Sequence, residues 1–239
     1  MKKFYAFLII LVNFNLFGQQ AGIVEYKFSY DTFDKKDKNP MQLQGIKMAE
    51  QSAEYAKEHK YILKFNKNES LYFVEKSIPI DGIQNQFAYR FSDDQLSKGK
   101  IYYNRKTGEL LNERKTMGKL YLVTDKPKYE WKITGRTKMI GKYKVYEAKL
   151  KCEKCLKPQL VTAWYAPDIP LPYGPAGYGG LPGLILELHK YKYTLTVDKI
   201  KFKNIVDIKK LDKGEPITEK ELKAKQMEAR YNLMKRRRK

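Results

Sequence analysis

From Gly22 to Tyr30 the chain alternates: Val24, Tyr26, Phe28 and Tyr30 fall to one side, and Glu25, Lys27 and Ser29 mostly to the other. A repeat of two is the repeat of a β-strand, whose successive side chains point to opposite faces. The pattern recurs along the chain. Tyr61, Leu63 and Phe65 share it, as do Leu71 with Phe73, and Phe87 with Tyr89 and Phe91. Further strands are expected at 101–104 and 109–113, around a turn at Lys106-Thr107-Gly108, then at Leu120/Leu122, 129–134, 143–150 and 159–166. The last three are expected at 184–189, 191–197 and 199–205. A dozen or so short strands separated by turn signals predict an all-β dominated fold. The expected form is a curved antiparallel sheet or an open β-barrel. The 19 tyrosines suit faces where a ring packs and its hydroxyl reaches water.

Two segments carry a helical repeat instead. Residues 46–59, with Ile46, Met48, Ala49, Ala53 and Ala56, lack Pro and Gly and predict a helix covering the sheet. A second, C-terminal helix is expected from Thr218, where Thr218-Glu219-Lys220-Glu221 has the form of a capping box, to about Met234. The layout that follows is a leader at 1–18, one β-rich domain at 19–210, and a basic helix and tail at 211–239.

The leader is predicted from Lys2 and Lys3, an apolar run from Phe4 to Phe17 and the small residue Gly18 ahead of Gln19, the three-part form of a secretory signal. A membrane anchor is the alternative, but spanning takes about 20 apolar residues and this run is shorter. No later stretch is apolar enough to span. The protein is therefore expected to be exported, periplasmic or secreted. Lys and Arg total 48 against 27 Asp and Glu, a formal charge of +21. Such a charge favours anionic partners or simple solubility and says nothing of the fold. Outside the cytoplasm the anion is expected to be a cell-envelope polyanion rather than nucleic acid. Cys152 and Cys155 flank two residues, and an exported protein meets oxidising conditions, so a disulfide is the first expectation. Unpaired thiols come next, and a redox pair or half of a metal site last. A zinc site would need two more ligands, and neither a second CxxC nor a His pair supplies them. No metal or cofactor is expected.

The segment from Trp164 to Ile185 departs from all of this. Pro167, Pro170, Pro172, Pro175 and Pro182 withdraw backbone donors and fix φ, so a regular sheet cannot run through it. Its glycines permit close backbone approach. A stiff crossing loop between two strands is expected. A phosphate cradle is a poor alternative, because a strand rather than a helix follows the glycines.

Gly180-Leu181-Pro182-Gly183-Leu184-Ile185 matches the hexapeptide that names the GLPGLI family of exported proteins, found mainly in Bacteroidetes. Trp131 to Thr134, Lys138 to Gly141, Ala163-Trp164-Tyr165, Ile169-Pro170 and Gly174-Pro175 resemble that family in the same order. The resemblance covers about 129–190. It implies an exported protein and carries over no catalytic residues, since the family has no established activity. Where many members have a Cys, this chain has Val145.

Candidate chemistry is sparse. Glu187 and His189 share a strand face and can form an acid–base pair, or stand as two solvent-side residues. Asp168 between prolines can act as an acid, or order the loop as Asp does in turns. His59, at the end of the first helix, suits a cation at a helix C-terminus. No catalytic motif is present. For binding, Trp164, Tyr165, Asp168, Tyr173 and Tyr178 cluster about the stiff loop with the hexapeptide. Held rigidly, their rings make contact surfaces; alternatively, they pack the loop onto the sheet. The expectation is an envelope-associated binding or accessory protein with an anionic or peptide-like partner. The alternatives are a secreted hydrolase using Asp168, Glu187 or His189, and a structural module of an outer-membrane complex.

Overall fold

Most of the alternating segments become strands, and with one strand that the alternation did not mark they form a single open sheet of twelve. The computed structural model describes residues 21–80, 82–94, 99–126, 129–151 and 161–236. The leader at 1–18 and both cysteines, Cys152 and Cys155, lie outside them. In chain order the elements are β1 (Ala21–Tyr30), α1 (Pro40–Lys57), β2 (Lys60–Phe65), β3 (Glu69–Glu75), α2 (Gln86–Arg90), β4 (Lys100–Asn104), β5 (Glu109–Thr116) and β6 (Lys119–Asp125). Then follow β7 (Trp131–Ile140), β8 (Tyr143–Leu150), β9 (Val161–Ala166), β10 (Leu184–Lys190), β11 (Tyr193–Lys203), β12 (Glu215–Thr218) and α3 (Glu219–Arg236). Across the sheet the order is β12-β6-β5-β4-β3-β2-β1-β11-β10-β9-β8-β7. Every neighbouring pair is antiparallel except β12 with β6, which is parallel. The sheet is therefore mixed, not wholly antiparallel.

Register gives each face a distinct character. Val24 lies opposite Leu63, Leu63 opposite Tyr72, and Tyr72 opposite Ile101, all on one face. Phe28 pairs with Leu195, Leu195 with Leu188, and Leu188 with Ala163, continuing that face toward β9. It carries the main core, and the 167–183 loop and α1 cover it. Ala53 and Ala56 of α1 are fully buried, and the Tyr61 hydroxyl donates to the Ala56 carbonyl at 2.9 Å. The other face holds a smaller cluster of Ala21, Tyr102, Leu111, Val206, Ile208 and Leu211. Its last three residues belong to the strap that leaves β11 and reaches β12, seven strand positions away. Seven spacings amount to about 33 Å. The twelve residue steps from Lys203 to Glu215 reach about 40 Å when extended, enough to cross that width.

Several local expectations are corrected. Phe87, Tyr89 and Phe91 lie in and beside helix α2, not a strand. Asn85 caps that helix by accepting from the Ala88 amide at 3.0 Å, and Ala88 is buried against α1, where Ser52 Oγ donates to its carbonyl at 2.7 Å. At helical spacing Phe87 and Phe91 become neighbours, with ring centres 4.8 Å apart. α1 starts at Pro40 rather than 46, because Asn39 and Gln42 form a reciprocal cap ahead of a proline at the first helical position. The two strands expected at 191–197 and 199–205 are one strand, β11, which bulges at Asp198 opposite Glu25 and Tyr26. Residues 211–239, read as helix and tail, contribute β12 to the sheet and bury Ile217 and Leu222 against Tyr121 and Val123. The capping box at Thr218 forms as expected: Thr218 Oγ1 accepts from the Glu221 amide, and the Thr218 amide donates to the Glu221 carboxylate.

Candidate functional site: the proline–glycine loop and the cavity beneath it

The loop leaves β9 through a turn at Pro167-Asp168, closed by the Ile169 amide donating to the Ala166 carbonyl at 3.1 Å. It returns into β10 with its backbone laid against itself. The Gly180 amide donates to the Pro172 carbonyl at 3.0 Å, the Leu184 amide to Ile169 at 2.9 Å, and the Ile185 amide to Tyr173 at 2.9 Å. The closeness explains two hexapeptide glycines differently. A Cβ on Gly183 would lie 2.3 Å from the Ala166 carbonyl oxygen, so only a hydrogen fits. Gly180 faces open space, but its φ of +83° is a left-handed conformation that glycine adopts freely.

Side chains from distant strands bolt this loop down. Trp131 Nε1 donates to the Gly179 carbonyl at 2.9 Å and the Tyr129 hydroxyl to Gly177 at 2.8 Å. The Tyr26 hydroxyl reaches the Ile185 carbonyl at 2.8 Å, and Tyr173 reaches that of Lys67 at 3.3 Å. Tyr178 packs its ring on Tyr129, with centres 5.3 Å apart, and Trp131 meets it edge-on at 6.4 Å. Burial raises the phenol pKa values of Tyr129, Tyr173 and Tyr178, so they remain neutral at ordinary pH.

Between loop and sheet lies a cavity of about 90 Å³. The sheet contributes Leu63, Tyr72, Ile101, Tyr103 and Leu110, with Ser70 its small polar member; the loop contributes Pro172, Tyr173, Tyr178 and a rim of glycines. Tyr129 closes one side. The lining is mostly ring faces, aliphatic groups and backbone. It is smaller than the engineered apolar cavity of about 150 Å³ that accepts benzene, so it suits a group the size of one aliphatic or proline side chain. Neutral hydroxyls and carbonyls can orient such a group. They supply no general base.

The residues singled out from the sequence are distributed unevenly around this site. Tyr173 and Tyr178 line the cavity; Tyr173 is only 2% exposed and Tyr178 is half-buried. Tyr165 is buried on the core face beside Tyr146, with ring centres 6.0 Å apart. Trp164 points to the opposite face, 8% exposed. There it stands in a row between Glu147 on β8 and Glu187 on β10. Lys138 Nζ covers its ring at 4.4 Å and the Arg136 guanidinium at 5.8 Å. Glu147, 3% exposed, accepts from Thr134 Oγ1 at 2.7 Å and pairs with Arg136 at 3.1 Å. Among the described residues, Asp168, Glu187 and His189 share no hydrogen bond. Glu187 holds Lys138 through both oxygens at 2.8 Å, and His189 Nδ1 meets Thr194 Oγ1 at 2.8 Å. Asp168 is exposed at the turn, and among the described residues none hydrogen-bonds its carboxylate.

His59 differs from its expected role as a cation. It is buried, and its Nδ1 accepts from the Ser77 amide at 3.2 Å. The proton therefore sits on Nε2, which donates to Ser92 Oγ at 2.6 Å, and Ser92 in turn donates to the Tyr89 carbonyl at 2.7 Å. Burial, helped by the Lys76 charge and opposed by Asp93, lowers its pKa to about 4. The pair locks α2 and its flanks in place; with the serine proton directed away, the imidazole does not act as its base.

Sequence reasoning missed Leu63, Tyr72, Ile101, Tyr103, Leu110 and the loop-fastening Tyr129 and Trp131 as members of this site. The available signal was the placing of tyrosines at core-facing positions of successive strands, which marks a face but not what covers it.

An open, strand-dominated mixed sheet with a fastened proline–glycine loop is the class these features define. Residues 151–187, which include the hexapeptide, match a family model described as a protein of unknown function (Porph_ging). Two crystal structures of a protein named PNGF-II, in space groups C2 and P21, share the fold, with TM-scores of 0.50 and 0.52 at 17% and 16% identity. They cover 79% and 86% of this chain but 28% and 32% of their own, so this chain spans about a third of their length. At that identity the likeness is one of fold. No curated protein matches in sequence.

Proposed function

We propose that this is an exported, envelope-associated binding or accessory protein, and that the cavity beneath the proline–glycine loop receives one apolar side chain of a peptide-like partner. The observation that carries this reading is a ring-lined cavity of about 90 Å³ whose cover is tied to the sheet by side chains. A preformed site loses little conformational entropy on binding, which favours recognition by small pockets. That Glu187 pairs with Lys138 and His189 with Thr194, rather than with each other, favours binding over the hydrolase alternative. The solved neighbours, which carry this sheet as under a third of their length, support a module that works beside other parts. Export rests on the Lys2-Lys3 and apolar N-terminal pattern.

The test is titration with a panel of short peptides rich in proline or leucine, followed by the fluorescence of Trp131, which adjoins Tyr178. Binding that persists at high salt and is abolished by Leu110→Phe, with thermal stability retained, is expected. Binding that vanishes with salt and ignores Leu110→Phe would assign the affinity to the basic surface instead. The N-terminal residue of protein from the envelope fraction checks removal of the leader after Gly18.

A further inference from the structure

Helix α3 has two sides, only one of which meets the protein. Leu222 is fully buried, and Gln226 and Ala229 are half-buried, at the spacing of one helix face. Gln226 Nε2 reaches Thr116 Oγ1 at 3.4 Å, the most C-terminal hydrogen bond from helix to sheet among the described residues. The remaining ten residues, to Arg236, extend about 15 Å beyond it.

Met227, Tyr231 and Met234 recur at i, i+4 and i+7 and are 73%, 66% and 51% exposed. At about 100° per residue they lie roughly 120–180° around the helix from Leu222, on the side facing away from the sheet. Lys220, Lys223, Arg230 and Lys235 fall on or beside that stripe, between about 80° and 220°. The acidic residues of α3 fall outside this arc; Glu219 is held by Arg114 at 3.1 Å, and Lys223 leans to it at 3.6 Å. The sequence then continues Arg237-Arg238-Lys239, extending the positive charge.

We propose that this outward side of α3 is a docking surface for an anionic phospholipid bilayer, lying in the headgroup plane with Met227, Tyr231 and Met234 inserted and the flanking cations on lipid phosphates. A soluble polyanion would be held by the charges alone and gives no reason for three large apolar side chains to recur on the exposed side of an otherwise polar helix. A bilayer interface uses both, because apolar insertion and attraction to anionic headgroups add. The helix is joined to the sheet through Leu222 and the Thr218 cap, so docking brings the folded domain to the membrane without unfolding any part of it. Interfacial binding of this kind is reversible and weakens with salt.

The experiment is flotation of the protein with vesicles of phosphatidylcholine alone or of phosphatidylcholine with phosphatidylglycerol, at low and high salt. Binding to the anionic vesicles only, and weaker at high salt, is expected. Replacing Lys220, Arg230 and Lys235 together by Gln reduces it about a hundredfold, at about fivefold for each basic side chain removed. Met227→Ser, Tyr231→Ser and Met234→Ser combined reduce it at least about tenfold while leaving the melting temperature unchanged, since those side chains are mostly exposed and none belongs to a buried cluster among the described residues. In Tyr231→Trp, added emission shifts to the blue and is quenched by brominated lipid, relative to the parent with its two tryptophans. Equal binding to neutral and anionic vesicles, or retention by the triple serine variant, overturns the proposal. So does a Tyr231→Trp signal unmoved by lipid, which would indicate attraction by charge alone.

Discussion

The indole of Trp131, at the start of the edge strand β7, donates to the carbonyl of Gly179 at 2.9 Å and so ties the sheet's margin to the centre of the loop 48 residues away. Removing only the donor tests how much of the loop's order depends on it. Trp131→Phe is expected to cost about 1–2 kcal/mol, because it deletes one half-buried hydrogen bond and part of a ring contact. Amide exchange at Gly180 and Tyr178 should quicken more than that at Leu188. Uniform quickening across β10 would show that the bond supports the whole sheet rather than the loop.

The two hexapeptide glycines separate backbone strain from steric exclusion. Gly180→Ala has space and is expected to cost about 1–2 kcal/mol, the penalty of a left-handed L-residue. Gly183→Ala places a methyl group 2.3 Å from the Ala166 carbonyl oxygen and must displace backbone. It is expected to cost at least about 3 kcal/mol. Chemical denaturation of both variants ranks them; equal costs would contradict the geometry at Gly183.

His59 makes stability depend on acid. Its folded pKa, about 4, lies below its ordinary 6.5, so the unfolded chain binds the proton more readily. Stability from the neutral, buried ring is complete above about pH 6.5 and is lost as pH falls toward 4, by at most about 3 kcal/mol. Urea unfolding from pH 7 to pH 4 should show a steeper decline for the parent than for His59→Gln. Parallel declines would place the acid sensitivity in other groups.

Helix α3 should detach without the sheet. Leu222 is its fully buried anchor, and Thr218 satisfies an amide of the first turn. Leu222→Ala is expected to cost about 2–3 kcal/mol, and Thr218→Ala about 1 kcal/mol. Hydrogen exchange in α3 should rise in both variants while that of β1 and β11 stays protected, since the main core does not include this helix.

Alternation named β1, β2, β8 and β10 from sequence because each strand has its own buried face, and a buried face leaves a local record. The same alternation misled at Phe87, Tyr89 and Phe91. There the decisive groups were the Asn85 side chain and the surface of α1 around Ser52, and tertiary contact overrode the pattern. Reading Thr218 as a cap succeeded because a capping box closes within four residues.

The sequence by itself determined that the chain forms strands, where its proline–glycine crossing interrupts them, and how the C-terminal helix is capped at its first turn, since each depends on neighbours a few residues apart. Only the tertiary structure decided the strand order, the parallel seat of β12, the direction of Trp164 away from the loop, and the joining of Leu63, Tyr103 and Tyr129 with Tyr173 around one cavity. Those outcomes arise from contacts between residues tens of positions apart. They depend on which surfaces exclude water together, and no local repeat encodes that.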